Sequence, residues 1–292
     1  MTPHRFQCLR CHLSAELPPD AAFCPRCGLS MSAEPEVLQV GSFTLTVGAA
    51  LATGGRCNLY YCTAETKGAA PTSAVFKIAR DDNSRLPLQN EAAKLTRLNA
   101  DARLRPFIPR VLTALQYRST GDTAARPAEV LVYHDDLDSP AALYSLDDVR
   151  RHYPNGIDAR DMAWMWRRLL TGLAYVHEAG IVHTAISAAH VLIEPNGHKL
   201  VLIGWSSAKP TGSATVGLDL QAAARTMLSV MGQDLPTPPP IDPAVKRHFD
   251  RALQPMDSLR AMGLLDDFDK LIEVLWGPRT FRPFAMPAGA KM

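Results

Sequence analysis

The chain has 292 residues, 47% of them hydrophobic and 21% charged, with a formal net charge of +2. That balance fits a globular protein with its own core, and the length allows one large domain or two smaller ones. So small a net charge argues against nucleic acid or an anionic membrane as an obligatory partner. There is no run of about 18 apolar residues of the kind that spans a membrane. The stretch from Met1 to Gln7 lacks an apolar secretory core. The expected compartment is therefore the cytoplasm, where thiols stay reduced.

In that setting, cysteines suggest metal or plain burial before disulfides. Four of them pair as Cys8-Leu-Arg-Cys11 and Cys24-Pro-Arg-Cys27. Two intervening residues let both thiolates of a pair face one ion from a tight knuckle, and two knuckles complete a tetrahedron of sulfur. Gly28 follows the second pair, where a knuckle often needs a positive φ. The segment from Phe6 to Leu29 resembles the small zinc ribbons written C-x-x-C-G…F-C-x-x-C-G, with His12 in place of the first glycine. Zinc on Cys8, Cys11, Cys24 and Cys27 is the expectation. Four thiolates close the site, so its role is structural. So short a module cannot bury a sufficient core, and the ion would supply most of its folding free energy. Residues 1–29 are read as this ribbon, a docking module. Residues 30–40 are read as a linker, because Ser30 to Val37 is small, polar and acidic without periodicity.

From Phe43 the pattern becomes strand-like. Phe43–Val47 and Leu59–Thr63 alternate as a first and second strand around Ala52-Thr-Gly54-Gly55-Arg-Cys57. Ala74-Val-Phe-Lys77-Ile78 is a third strand, and Lys77 interrupts its apolar run. Leu86–Leu98 has helical spacing, with Ala92, Leu95 and Leu98 on one face. Glu91 lies on that helix, fourteen residues after Lys77. Residues 108–117 and 129–133 read as fourth and fifth strands, and His134-Asp-Asp-Leu137 as a hinge.

Asp158 can cap a helix starting near Ala159. An apolar stripe runs along it through Met162, Met165, Trp166, Leu169, Leu170, Leu173 and Val176. The helix leads through Gly180-Ile-Val-His183 into Thr184-Ala185-Ile186-Ser187-Ala188-Ala189-His190. Val191–Ile193 and Leu200–Ile203 flank the turn Pro195-Asn196-Gly197 as a hairpin. Gly204-Trp205-Ser206 follows. A further apolar helix carries Asp219, and amphipathic helices run through Phe249–Leu253 and Leu264–Leu275. The chain then passes through an aromatic and arginine tail from Trp276.

Taken in order, residues 41–276 resemble a protein kinase. The third strand is similar to V-A-I-K, and residues 183–190 stand where H-R-D-L-x-x-x-N belongs. The resemblance implies an α+β, bilobal protein kinase-like fold. Residues 41–137 would form an antiparallel N-lobe with one helix plus the hinge, and 138–292 a helical C-lobe with a C-terminal extension. It also implies a strand–helix ion pair between Lys77 and Glu91, and a nucleotide site that used Gly54, Lys77 and Glu91. The phosphate loop is poor in glycine, however, so ATP or another nucleotide is a doubtful ligand. Three reactive positions are replaced. Ala185 stands for the catalytic Asp, His190 for the metal-binding Asn, and Gly204 for the Asp of D-F-G. Segment 207–218 is short and offers little platform for a peptide. Asp219 matches the residue that braces the catalytic loop.

The expected function is therefore a pseudokinase, not an enzyme, serving as scaffold or regulator for a protein partner. The alternatives are an atypical ATP-dependent phosphotransferase, supported by Lys77, and a zinc-ribbon nucleic-acid-binding protein. The tail resembles the ending of bacterial kinase-like proteins with degraded catalytic loops. That likeness implies a packed extension, with an exposed patch of Trp276, Phe281 and Phe284 as the alternative.

Overall fold

The computed structural model describes residues 4–7, 14–17, 35–118, 124–135, 137, 140–254 and 259–286. Cys8, Cys11, Cys24 and Cys27 lie outside the described residues. Of the ribbon segment, two short antiparallel strands are described, β1 (His4–Gln7) and β2 (Ser14–Leu17), with His4 opposite Leu17.

The chain divides into two compact units, one of residues 1–97 and 109–142, the other of 98–108 and 143–292. The first holds a curled antiparallel sheet of six strands. They are β3 (Glu36–Val40), β4 (Phe43–Thr53), β5 (Cys57–Thr66), β6 (Thr72–Ala79), β7 (Arg110–Tyr117) and β8 (Arg126–Val132). Their order is β3-β4-β5-β6-β8-β7. Residues 36–40, read from sequence as part of a linker, are instead the edge strand, with Val37 opposite Thr46 and Leu38 opposite Leu45.

Alternation along the strands sorts the side chains onto two faces. Leu45, Val47, Cys62, Phe76, Ile78, Val130 and Val132 form a core on one of them. Leu38 and Val40 from one edge strand and Leu112, Leu115 and Tyr117 from the other pack against the same cluster. The Tyr117 hydroxyl donates to Glu36, so the curl brings the two edges together. The opposite face carries α1 (Arg85–Leu98). Leu88, Glu91 and Leu95 are buried at three- and four-residue spacing, the stripe that a helix turns toward a sheet.

The second unit is mostly helical. Its helices are α2 (Leu146–His152), α3 (Ala159–Glu178), α4 (Val216–Val230), α5 (Pro243–Ala252) and α6 (Ala261–Trp276). Asp158 caps α3 as its side chain predicts, accepting from Arg160 N at 2.7 Å. Trp166, Leu169, Leu170 and Leu173 on α3 are fully buried with Phe249 of α5 and Phe268 of α6. The unit also holds short strands β9 (Tyr144–Ser145), β10 (Ile181–Val182), β11 (Val191–Glu194), β12 (Lys199–Leu202) and β13 (Lys209–Pro210). The hairpin expected around Pro195-Asn196-Gly197 is β11–β12, with Val191 opposite Leu202.

Residues 98–108, placed by sequence with the sheet, belong to the helical unit. The Phe107 and Tyr175 rings meet edge-on at 6.1 Å, and the Phe107 carbonyl accepts from Leu202 N at 2.8 Å. Gly172 makes that packing fit: a β-carbon there would sit 3.1 Å from the Phe107 side chain. In the tail, Phe284 is buried against Tyr153, while Phe281 is 63% exposed yet stacks on His198 at 4.3 Å. Arg282 pairs with Asp161 on α3. Among the described residues no helix is long and apolar enough to cross a membrane.

Candidate functional site

In the sheet unit, β6 places Lys77 on the face covered by α1. Lys77 Nζ lies 2.6 Å from Glu91 Oε1, so the expected strand–helix pair is formed, and both side chains are buried. The sequence reading missed a third member, Glu129. Its backbone sits directly opposite Lys77 in the β6–β8 register, and its Oε1 is 3.5 Å from Lys77 Nζ. Lys77 is held charged because Glu91 and Glu129 outweigh the cost of its burial. Burial pushes the Glu129 carboxyl up to about 8, against the pull of Lys77 and with a further push from Glu91. Burial also lifts the Cys57 thiol to about 11.

Gly54 is in the β4–β5 turn. Its N–H donates to the Cys57 carbonyl at 2.8 Å, and its carbonyl accepts from Arg80 at 2.9 Å. The turn is thus closed on its own backbone. A β-carbon at Gly54 would meet only Cys57 O, at an ordinary 3.4 Å, so no close approach demands glycine here.

In the helical unit, the loop after β10 is organised by Asp219 in the first turn of α4. The carboxylate is fully buried and accepts three hydrogen bonds. His183 N donates at 2.7 Å, Thr184 N at 2.8 Å and His177 Nε2 at 2.9 Å. Thr184 has φ of +63°, a conformation that a β-branched residue rarely adopts. It is held there from both ends, since its hydroxyl also donates to Ser207 O at 2.7 Å. His183 Nε2 donates to Ile203 O at 3.0 Å, and the ring meets Trp205 edge-on at 4.5 Å. Asp219 and His183 therefore brace the loop.

Ala185 and Gly204 both lie against His190. His190 Nδ1 donates to the Ala185 carbonyl at 2.6 Å. Gly204 sits at φ +83°, where a β-carbon would lie 2.8 Å from His190 Cδ2 and 2.9 Å from Nε2. The imidazole thus covers the place where a side chain at 204 would begin. Ala185 and Gly204 offer no side-chain donor or acceptor, and the His190 ring is fixed by its bond to the loop. These residues do not fit a magnesium–nucleotide complex, whose ligands are oxygens from carboxylate or amide groups. No group of three or more His, Cys, Asp or Glu placed to hold a metal ion occurs among the described residues.

The comparisons leave this geometry as the main guide. No family model matches the chain, and no curated protein matches it.

Proposed function

We propose that the chain is a catalytically inactive, kinase-like protein, a pseudokinase that acts as a scaffold or regulator for a protein partner. One observation carries the reading: His190 bridges Ala185 and Gly204, so the three substitutions are a single packed arrangement rather than separate losses. The bracing around them is intact, with Asp219 holding the loop backbone and Lys77 paired to Glu91. A frame kept while its reactive groups are exchanged for a mutually fitted set is what selection for shape would leave. The α+β order, a six-stranded antiparallel sheet with one helix before a mostly helical unit, supports a bilobal kinase-like fold.

Phosphoryl transfer rests on positioning and on charge stabilisation by bound metal. General-base help alone is worth roughly 10²–10⁴ in rate. With Ala185 and Gly204 at those positions, neither contribution has a donor. The four cysteines would hold a structural zinc in a ribbon that docks the partner.

The test is a transfer assay on the purified full chain with labelled ATP and magnesium, offering protein and small-molecule acceptors. No turnover above that of the Lys77→Ala variant is expected. Turnover that requires magnesium and vanishes in Lys77→Ala would overturn the reading. Affinity capture from the native host is expected to return a partner whose binding survives Lys77→Ala.

A further inference from the structure

The pairing of Lys77 with Glu91 leaves Glu129 unexplained. A strand presents alternate residues to opposite faces, so with Val130 and Val132 in the core on one side, Glu129 faces α1 on the other. There it lies against Lys77, fully buried, and neither of its carboxylate oxygens has a hydrogen-bond partner. A carboxylate without partners in such a place is costly, and only a nearby cation offsets it. Lys77 already gives its short contact, 2.6 Å, to Glu91 and stands 3.5 Å from Glu129. One ammonium therefore faces two carboxyl groups.

We propose that Glu129 withdraws the buried Lys77 from anionic ligands, so that this lysine of the sheet unit does not take up phosphate groups. The inference rests on reading the Lys77–Glu91 pair as the vestige of a nucleotide site. A buried ammonium attracts phosphate only when its charge is not already cancelled. Here an incoming phosphate oxygen must displace one carboxylate and then face the other. The cations Lys94 and Arg56 act on the rim of the cluster, on Glu91 and Cys57 respectively. Burial raises both the Cys57 thiol and the Tyr133 hydroxyl, which keeps them neutral at physiological pH. Glu129 itself, with its acid pushed up to about 8, is mostly protonated at pH 7 and gains its charge as pH rises through that value. The exclusion of phosphate tightens accordingly as pH rises.

The experiment compares the wild-type chain with Glu129→Gln, which keeps the shape and removes the charge. Binding of metal-free pyrophosphate and of ATP is measured by isothermal titration near pH 7 and pH 9. The variant is expected to bind pyrophosphate at least about tenfold more tightly at the higher pH, the effect of one nearby charge in a partly screened site, with a smaller ratio at the lower pH. Equal affinities for the two chains, or no binding by the variant, overturn the inference. Where Glu129→Gln does not fold, Glu129→Met makes the same comparison. Magnesium-dependent transfer by the wild type would instead overturn the inactive-scaffold reading. A failed Glu129 comparison without transfer leaves that reading standing.

Discussion

Placing an aspartate at position 204 should not by itself create a metal site; it should damage the protein. Two costs are visible in the structure. Gly204 has φ of +83° and ψ of 43°, in the left-handed region, where a residue with a β-carbon costs about 1–2 kcal/mol. The new β-carbon also falls within 3.0 Å of three His190 ring atoms, Cδ2, Nε2 and Cγ. The ring cannot swing away freely, because its Nδ1 bond to Ala185 O would be lost. Overpacking of this kind costs about 1–3 kcal/mol. Gly204→Asp is therefore expected to destabilise by about 2–5 kcal/mol in urea unfolding. His190→Asn shortens the side chain and removes the overlap but not the backbone strain. In the double variant the overpacking part should return, giving a coupling of about 1–3 kcal/mol in a double-mutant cycle, above the scatter of about 0.5 kcal/mol for independent sites. Additive effects within that scatter would show that His190 and Gly204 are not interlocked. The argument that the substitutions form one unit would then fail.

Three further outcomes follow from other parts of the chain. Asp219→Ala leaves His183 N, Thr184 N and His177 Nε2 without their acceptor. At about 1–3 kcal/mol for each orphaned donor, stability should fall by at least about 3 kcal/mol, and hydrogen exchange at the His183 and Thr184 amides should accelerate. His248 accepts from Trp166 Nε1 at 3.0 Å and, mainly through burial, is depressed to about 4. A depressed histidine contributes stability above its unfolded pKa of about 6.5 and loses it as pH falls through the folded value, a loss on the order of 3 kcal/mol. His248→Gln keeps an acceptor for the indole and does not titrate, so it should flatten the stability profile between about pH 6.5 and pH 4. A profile as steep as wild type would place the acid sensitivity elsewhere. The purified chain should contain a single zinc, released by chelators and absent after Cys24→Ser, as measured by elemental analysis. Metal content unchanged by Cys24→Ser would count against the ribbon.

Much of the scaffold was legible because its signals are local. The α3 stripe from Met162 to Val176, the Asp158 cap and the β11–β12 hairpin each follow from periodicity or turn chemistry within a few residues. Lys77 stood out as a charge inside an apolar strand, and its pairing with Glu91 was expected from the resemblance to a kinase N-lobe. The missed features are non-local. Residues 36–40 look like a polar tether, since Glu36 and Gln39 interrupt any apolar run. They become a strand because β4 presents an open edge and Leu38 and Val40 reach the curled core. Residues 98–108 join the helical unit because Phe107 finds space over Gly172, a fit that no window of sequence contains.

Glu129 is the most instructive miss. It opens the apolar run Val130-Leu131-Val132 and reads there as the polar edge of a strand. Lys77 drew attention because it interrupts such a run, and the same test applies to Glu129 once the strand is seen to begin at Arg126. Three residues earlier in the strand, the side chain is no longer at an end but in the middle of the sheet, opposite Lys77. Placed at the first position of the expected strand, Glu129 was given no role, and the third member of the Lys77 cluster went unnoticed. The loop around His190 teaches the complementary point. Ala185, His190 and Gly204 read as three deletions when taken one at a time. The contacts among them give each a structural reason: the ring fills the space over Gly204, and its proton goes to the Ala185 carbonyl. Charge cancellation at Lys77 and ring packing at His190 are independent in physical cause, and both support the proposed non-catalytic reading.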